Sequence, residues 1–193
     1  MPIHHKTRQN PSNKDSRSRR FAGCLLATCA LPAFALAADN PGAHEHGKAQ
    51  LQMALEDTSI DLIFTSPAYN LAGFEHQART PDEKKRLADI RDWLETMPLI
   101  NTEAGTCRVK TASVQLGGET ESHHDHHNDK AAHRDYEVTQ QLRCEEIGSG
   151  EIFSSPLPRR FPELETLTIE WIAPTGQGST LMTPSAVNFN LGE

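Results

Sequence analysis

The densest chemistry in the 193-residue chain lies between Gly117 and Tyr136, GGETESHHDHHNDKAAHRDY. Five imidazoles, His123, His124, His126, His127 and His133, share that stretch with Glu119, Glu121, Asp125, Asp129 and Asp135. Imidazole nitrogen and carboxylate oxygen are ligands of zinc and its first-row neighbours. No apolar residue larger than alanine stands between Leu116 and Tyr136. The segment therefore has nothing to bury against a core and reads as a disordered loop. Two smaller groups carry the same donors: His44 and His46 around Glu45, and the adjacent Glu75 and His76. On a strand, His44 and His46 would point to one face and could share an ion; as a frayed terminus they would hold none. A Glu-His dipeptide such as Glu75-His76 is, on spacing alone, more often plain surface.

Free imidazole titrates near pH 6.5, so at neutral pH such residues bind zinc without first losing a proton, and release is expected as pH falls through about 6. A structural zinc site takes about four ligands. The five histidines of the insert then supply one site, or two if carboxylates, water or His44, His46 and His76 contribute. Ordering a flexible loop opposes binding by roughly 1–2 kcal/mol per residue fixed. Such a loop should bind more weakly than a preformed site and exchange faster.

Catalysis is not expected. The HEHG run at His44 is not H-E-x-x-H, HHDHH lacks a hydrolase spacing, and no G-x-S-x-G, P-loop or dinucleotide fingerprint occurs. Cu2+ and Ni2+ compete with Zn2+ for imidazole sites. Met53, Met97 and Met182 are scattered, which argues against a thioether Cu(I) site. A structural module whose histidine loop is merely solvating is the non-metal alternative.

The elements that must position these donors begin after a leader. Residues 1–20 hold Lys6, Arg8, Lys14, Arg17, Arg19 and Arg20 against Asp15 alone; an apolar run from Phe21 to Ala38 follows, with Ala35-Leu36-Ala37 as a cleavage site. This is the pattern of a secretory signal peptide over 1–37, followed by one domain over 38–193 with a flexible insert at 117–135. The apolar run is too short and broken to stay in a bilayer. Losing the leader removes six of 19 basic and one of 26 acidic residues, which moves the net charge from −7 to −12. Such a surface repels nucleic acid and anionic membranes and attracts cations. Cys24 and Cys29 leave with it, so in an oxidising compartment Cys107 and Cys144 are expected to pair around the insert.

Ala49, Leu51, Met53 and Leu55 alternate with polar residues as a strand, and Ile60, Leu62 and Phe64 as its hairpin partner. Tyr69 to His76 reads as a loop or irregular strand. Thr80-Pro81-Asp82-Glu83 is a capping box, opening a helix whose stripe is Leu87, Ile90, Leu94 and Met97 with Trp93 beside it, and Pro98 stops it. Val109 and Thr111 change phase to Ala112, Val114 and Leu116, as at a bulge. Tyr136, Val138, Leu142 and Cys144 give the matching strand, so the histidine tract falls at a hairpin tip. Phe153, Phe161 and Pro162 belong to a turn or short helix; Leu164 to Trp171, Leu181, and Val187 to Leu191 give further strands. The expected class is α+β: mainly antiparallel sheet, one firm helix, and a disordered His-rich loop.

With those residues in view, the chain from about Ala43 onward resembles the ZrgA-type family of bacterial periplasmic zinc-binding proteins. The likeness is carried by His44-x-His46-Gly47, Gly73-Phe74-Glu75-His76, Cys107 and Cys144 bracketing a histidine-rich insert, and Phe161-Pro162. It implies a periplasmic protein of zinc homeostasis that binds zinc through histidines and assists a high-affinity zinc ABC transporter. It also implies that His44, His46, Glu75 and His76 are ligands, and that His123–His133 is a variable metal-gathering loop. The insert here is short for the family.

Overall fold

The computed structural model describes residues 45–117, 134–148 and 150–191. The leader, His44 and the five insert histidines with Asp125 lie outside the described residues. Strand β1 (Lys48–Glu56) and strand β2 (Ser59–Pro67) form an antiparallel hairpin around Asp57, whose φ is 53°. Alternation does what the sequence requires: Ala49, Leu51, Met53, Ile60, Leu62 and Phe64 are buried, and their neighbours face out.

Helix α1 (Ala68–Ala72) follows directly, where a loop or irregular strand was expected. It is short and ends on Gly73, whose φ of 79° favours a residue without a Cβ; its N–H bonds back to the Tyr69 carbonyl at 2.8 Å. Helix α2 (Pro81–Thr96) starts on the expected capping box, with Thr80 Oγ1 accepting from the Glu83 N–H at 3.2 Å and Glu83 Oε2 accepting from the Thr80 N–H at 2.9 Å. Ile90 and Leu94 reach the core and Leu87 and Trp93 pack partly against it, but Met97 is 43% exposed and is not core. Met97 is already extended at the C-cap, so the apolar spacing runs one residue past the helix.

After strand β3 (Asn101–Thr102) come strand β4 (Arg108–Leu116) and strand β5 (Asp135–Arg143), antiparallel, with the expected bulge between Val109 and Thr111. Gln140 takes the one inward position of β5 that sequence alternation leaves polar. Its amide nitrogen donates to the carbonyls of Leu94 and Met97 at 2.6 and 2.8 Å, and its oxygen accepts from the Leu99 N–H at 3.0 Å. One buried side chain thus satisfies the end of α2 and ties it to the sheet. Cys107 and Cys144 are joined in a disulfide across the far ends of this pair.

Strand β6 (Ile152–Ser154), helix α3 (Leu157–Arg160), strand β7 (Thr166–Ala173), strand β8 (Gly176–Met182) and strand β9 (Asn188–Asn190) complete the domain. The main sheet has the order β4-β5-β2-β1-β7-β8, and β3-β6-β9 form a second small sheet. The class is α+β, but the main sheet is mixed: β1 and β7 run parallel, Leu51 opposite Ile169. Everything between β1 and β7 acts as one long crossover, which periodicity within single strands does not encode. No helix among the described residues is long and apolar enough to cross a membrane.

Candidate metal site

The pairing registers fix where the donor groups emerge. The start of β1 lies beside the end of β2, which pairs through Pro67 with Asp135 at the start of β5; Leu116 at the end of β4 lies opposite Tyr136. His46, α1 with Glu75 and His76, and both flanks of the insert therefore share one end of the sheet. The flanks are pinned there: the Gly117 N–H donates to the Asp135 carbonyl at 2.8 Å, Arg134 Nε donates to the Gly117 carbonyl at 3.0 Å, and the Ala68 N–H donates to the Arg134 carbonyl at 2.7 Å. Insert residues 118–133 themselves lie outside the described residues.

His46 is not on the strand. β1 starts at Lys48, because Gly47 turns the chain with φ of 83°. Asn70, 1% exposed, locks this turn: its Oδ1 accepts from the Gly47 N–H at 2.7 Å, and its Nδ2 donates to the Lys48 carbonyl at 2.8 Å and Ser66 Oγ at 3.1 Å. The Gly47 carbonyl accepts from Glu165 and Thr166 N–H at 2.9 and 2.8 Å. A Cβ at position 47 would stand 3.1 Å from Glu165 Cδ, so a side chain there is both strained and crowded.

Held this way, the His46 ring stacks on Tyr69 at 4.4 Å, and its Nε2 lies 3.0 Å from Glu75 Oε1. His46 is half exposed and Glu75 is 17% exposed. Bonds of about 2.0–2.1 Å at tetrahedral angles put two zinc ligands about 3.3 Å apart. The pair thus needs a shift of only a few tenths of an ångström to admit zinc. Next along the chain, His76 stacks on Phe74 at 4.9 Å, with Nδ1 3.0 Å from the Gln77 carbonyl and Nε2 3.7 Å from Glu83 Oε1. Hydrogen bonds from the Thr80 and Arg79 N–H groups hold the Glu83 carboxyl below the usual carboxylate range.

The structure thus brings together two of the sequence candidates, His46 and Glu75, from positions 29 residues apart, and sets His76 beside them in sequence but against a different carboxylate. Among the described residues, no three His, Cys, Asp or Glu side chains converge as a ready metal cage. Sequence reasoning missed Asn70 and Tyr69, whose roles depend on contacts between distant segments, and the stacking of Phe74 on His76. It gave Glu83 only to the capping box. Cys107 and Cys144, being oxidised, offer no thiolate.

Imidazole and carboxylate are thus paired at one end of a β-rich domain. The sequence model of the ZrgA family zinc uptake protein matches residues 43–191. The chain belongs to this family, which is one of zinc uptake and not of a known catalytic class. Among curated proteins, no sequence matches the chain.

Proposed function

We propose that the protein is exported to the periplasm by its N-terminal leader, gathers zinc there and delivers it to the components of a high-affinity zinc ABC transporter. His46 and Glu75 form the ordered part of the ligand set, with His44 two residues upstream and His76 adjacent. His123, His124, His126, His127 and His133, with Asp125, collect zinc on the insert and pass it to the neighbouring ordered residues. Membership of a zinc uptake family supports the choice of metal over Cu2+ and Ni2+.

The observation that carries this reading is the 3.0 Å approach of His46 Nε2 to Glu75 Oε1, at the sheet end from which the insert departs. An imidazole set beside a hydrogen-bonded turn and already 3.0 Å from its carboxylate partner loses less freedom on binding than a loop does, so this pair should bind more tightly than the insert. Calorimetric zinc titration of the purified protein tests it. The double variant His46→Ala/Glu75→Ala is expected to lose the tighter component, and changing the five insert histidines to Ala the weaker. Unchanged stoichiometry and affinity in both variants would overturn the proposal.

A further inference from the structure

The second imidazole–carboxylate pair at this end has a partner that no metal role yet covers. His76 Nδ1 lies 3.0 Å from the Gln77 carbonyl oxygen. A carbonyl only accepts, so the uncharged tautomer that bonds it carries its hydrogen on Nδ1 and leaves the lone pair on Nε2. In that tautomer the ligand-competent Nε2 stands 3.7 Å from Glu83 Oε1. Two acceptors facing each other are completed by something positive between them. A ring that donates Nδ1–H to a backbone carbonyl while offering Nε2 is also how ligating histidines are oriented.

Glu83 is equally well placed. Its Oε2 accepts from the Arg79 N–H at 2.7 Å and the Thr80 N–H at 2.9 Å, which fixes the carboxylate on the first turn of α2 and leaves Oε1 for another partner. The ring of Phe74 lies against His76 and limits its rotation. The 3.7 Å gap is a few tenths of an ångström wider than the about 3.3 Å edge of a zinc tetrahedron.

We infer that Glu83 is a metal ligand whose Oε1 forms, with His76 Nε2, a two-donor site for a divalent cation, built on the capping box of α2. The inference rests on the zinc-gathering reading of His76 and adds the carboxylate that completes its pair. His76 and Glu83 side chains are 47% and 26% exposed, so water fills the remaining coordination positions. Two protein ligands hold an ion loosely, and the open positions let an incoming ligand take it. Because one oxygen caps the helix while the other binds, the ion is gained without giving up the cap.

The substitution Glu83→Gln separates the two roles. Glutamine keeps the hydrogen-bond pattern of a capping box without the charge, and its amide nitrogen is no ligand. Zinc titrations followed by the His76 ring-nitrogen NMR shifts, alongside thermal melts of the metal-free protein, give the readout. The expected result is a metal-free protein that stays folded and loses only the small charge contribution of the cap at neutral pH, a loss of about tenfold or more in zinc affinity at His76, and, by calorimetry, no further loss in Glu83→Gln/His76→Ala beyond His76→Ala alone. A Glu83→Gln protein that loads His76 like the wild type would overturn the inference and leave the zinc-gathering proposal standing. A wild-type protein that takes up no zinc at any histidine would overturn both.

Discussion

The two ends of the main sheet are built from opposite materials. At one end Cys107 and Cys144, 0% and 3% exposed, close the β4–β5 pair covalently, and the Cys144 N–H bonds to the Thr58 carbonyl of the β1–β2 turn. At the other end lie His46, Glu75, His76 and the flanks of the histidine insert, held by hydrogen bonds and ring stacking with side chains left partly exposed. On the proposed function, the exposed end must let ligands reach and leave an ion, whereas the stapled end has only to keep the ribbon from opening. The contrast teaches that covalent rigidity and side-chain exposure are assigned to different ends of the same sheet.

The largest expected effect is on the stapled end. Replacing both cysteines by alanine should lower unfolding free energy by about 4 kcal/mol, from the entropy of a 37-residue loop. Zinc stoichiometry of the folded fraction should stay the same. Denaturant melts with and without zinc check it, and a lost zinc site would show that the ends are coupled.

Next comes Asn70→Ala, which leaves the Gly47 N–H, Lys48 carbonyl and Ser66 hydroxyl without their shared partner. About 2–3 kcal/mol of stability should go, from buried polar groups left unpaired. Zinc affinity at the His46–Glu75 pair should fall with it. Calorimetry on the folded variant would count against the locked turn if affinity held.

A smaller change follows from Thr80→Ala, with a loss of about 1 kcal/mol as the cap hydroxyl disappears. The capping box also sets a pH response. Because the Glu83 carboxyl is held below its ordinary value, its contribution is present above that ordinary value and is lost as pH falls through the lower folded value. Acid melts of the wild type and Glu83→Gln should therefore converge at low pH.

The smallest effect belongs to Tyr136, buried where β5 begins, whose hydroxyl has no hydrogen-bond partner among the described residues. Tyr136→Phe should be neutral or slightly stabilising, since it removes a buried donor. Burial pushes the phenol up to about 12. A raised phenol favours the neutral form, so in the wild type stability should be complete below the ordinary value near 10 and fall as pH rises toward 12. Alkaline unfolding of the two proteins compares the slopes.

What was legible in the sequence was whatever short spacing controls. Period-two burial in β1, β2 and β5, the capping box of α2, the bulge after Val109 and the cysteine bracket all follow from neighbours in the chain. The parallel β1–β7 pairing was not legible, because both strands alternate identically in either direction. The sequence left His46 either on an extended first strand or on a frayed terminus; a single Gly47 with positive φ sets it on a turn instead, and its partner Glu75 follows α1, which replaces an expected loop or irregular strand. Asn70 carried no local signal at all, since its three partners come from β1, β2 and the turn before β1. Donor types were visible in sequence, and donor pairing was not.

Anomalous scattering at the zinc edge, from crystals of the protein grown with zinc, tests the central claim most directly. Peaks are expected at the insert end of the sheet, one of them within about 2.0–2.2 Å of His46 Nε2 and Glu75 Oε1. A zinc-loaded crystal with no peak at that end, or with its zinc bound beside Cys107 and Cys144, would contradict it.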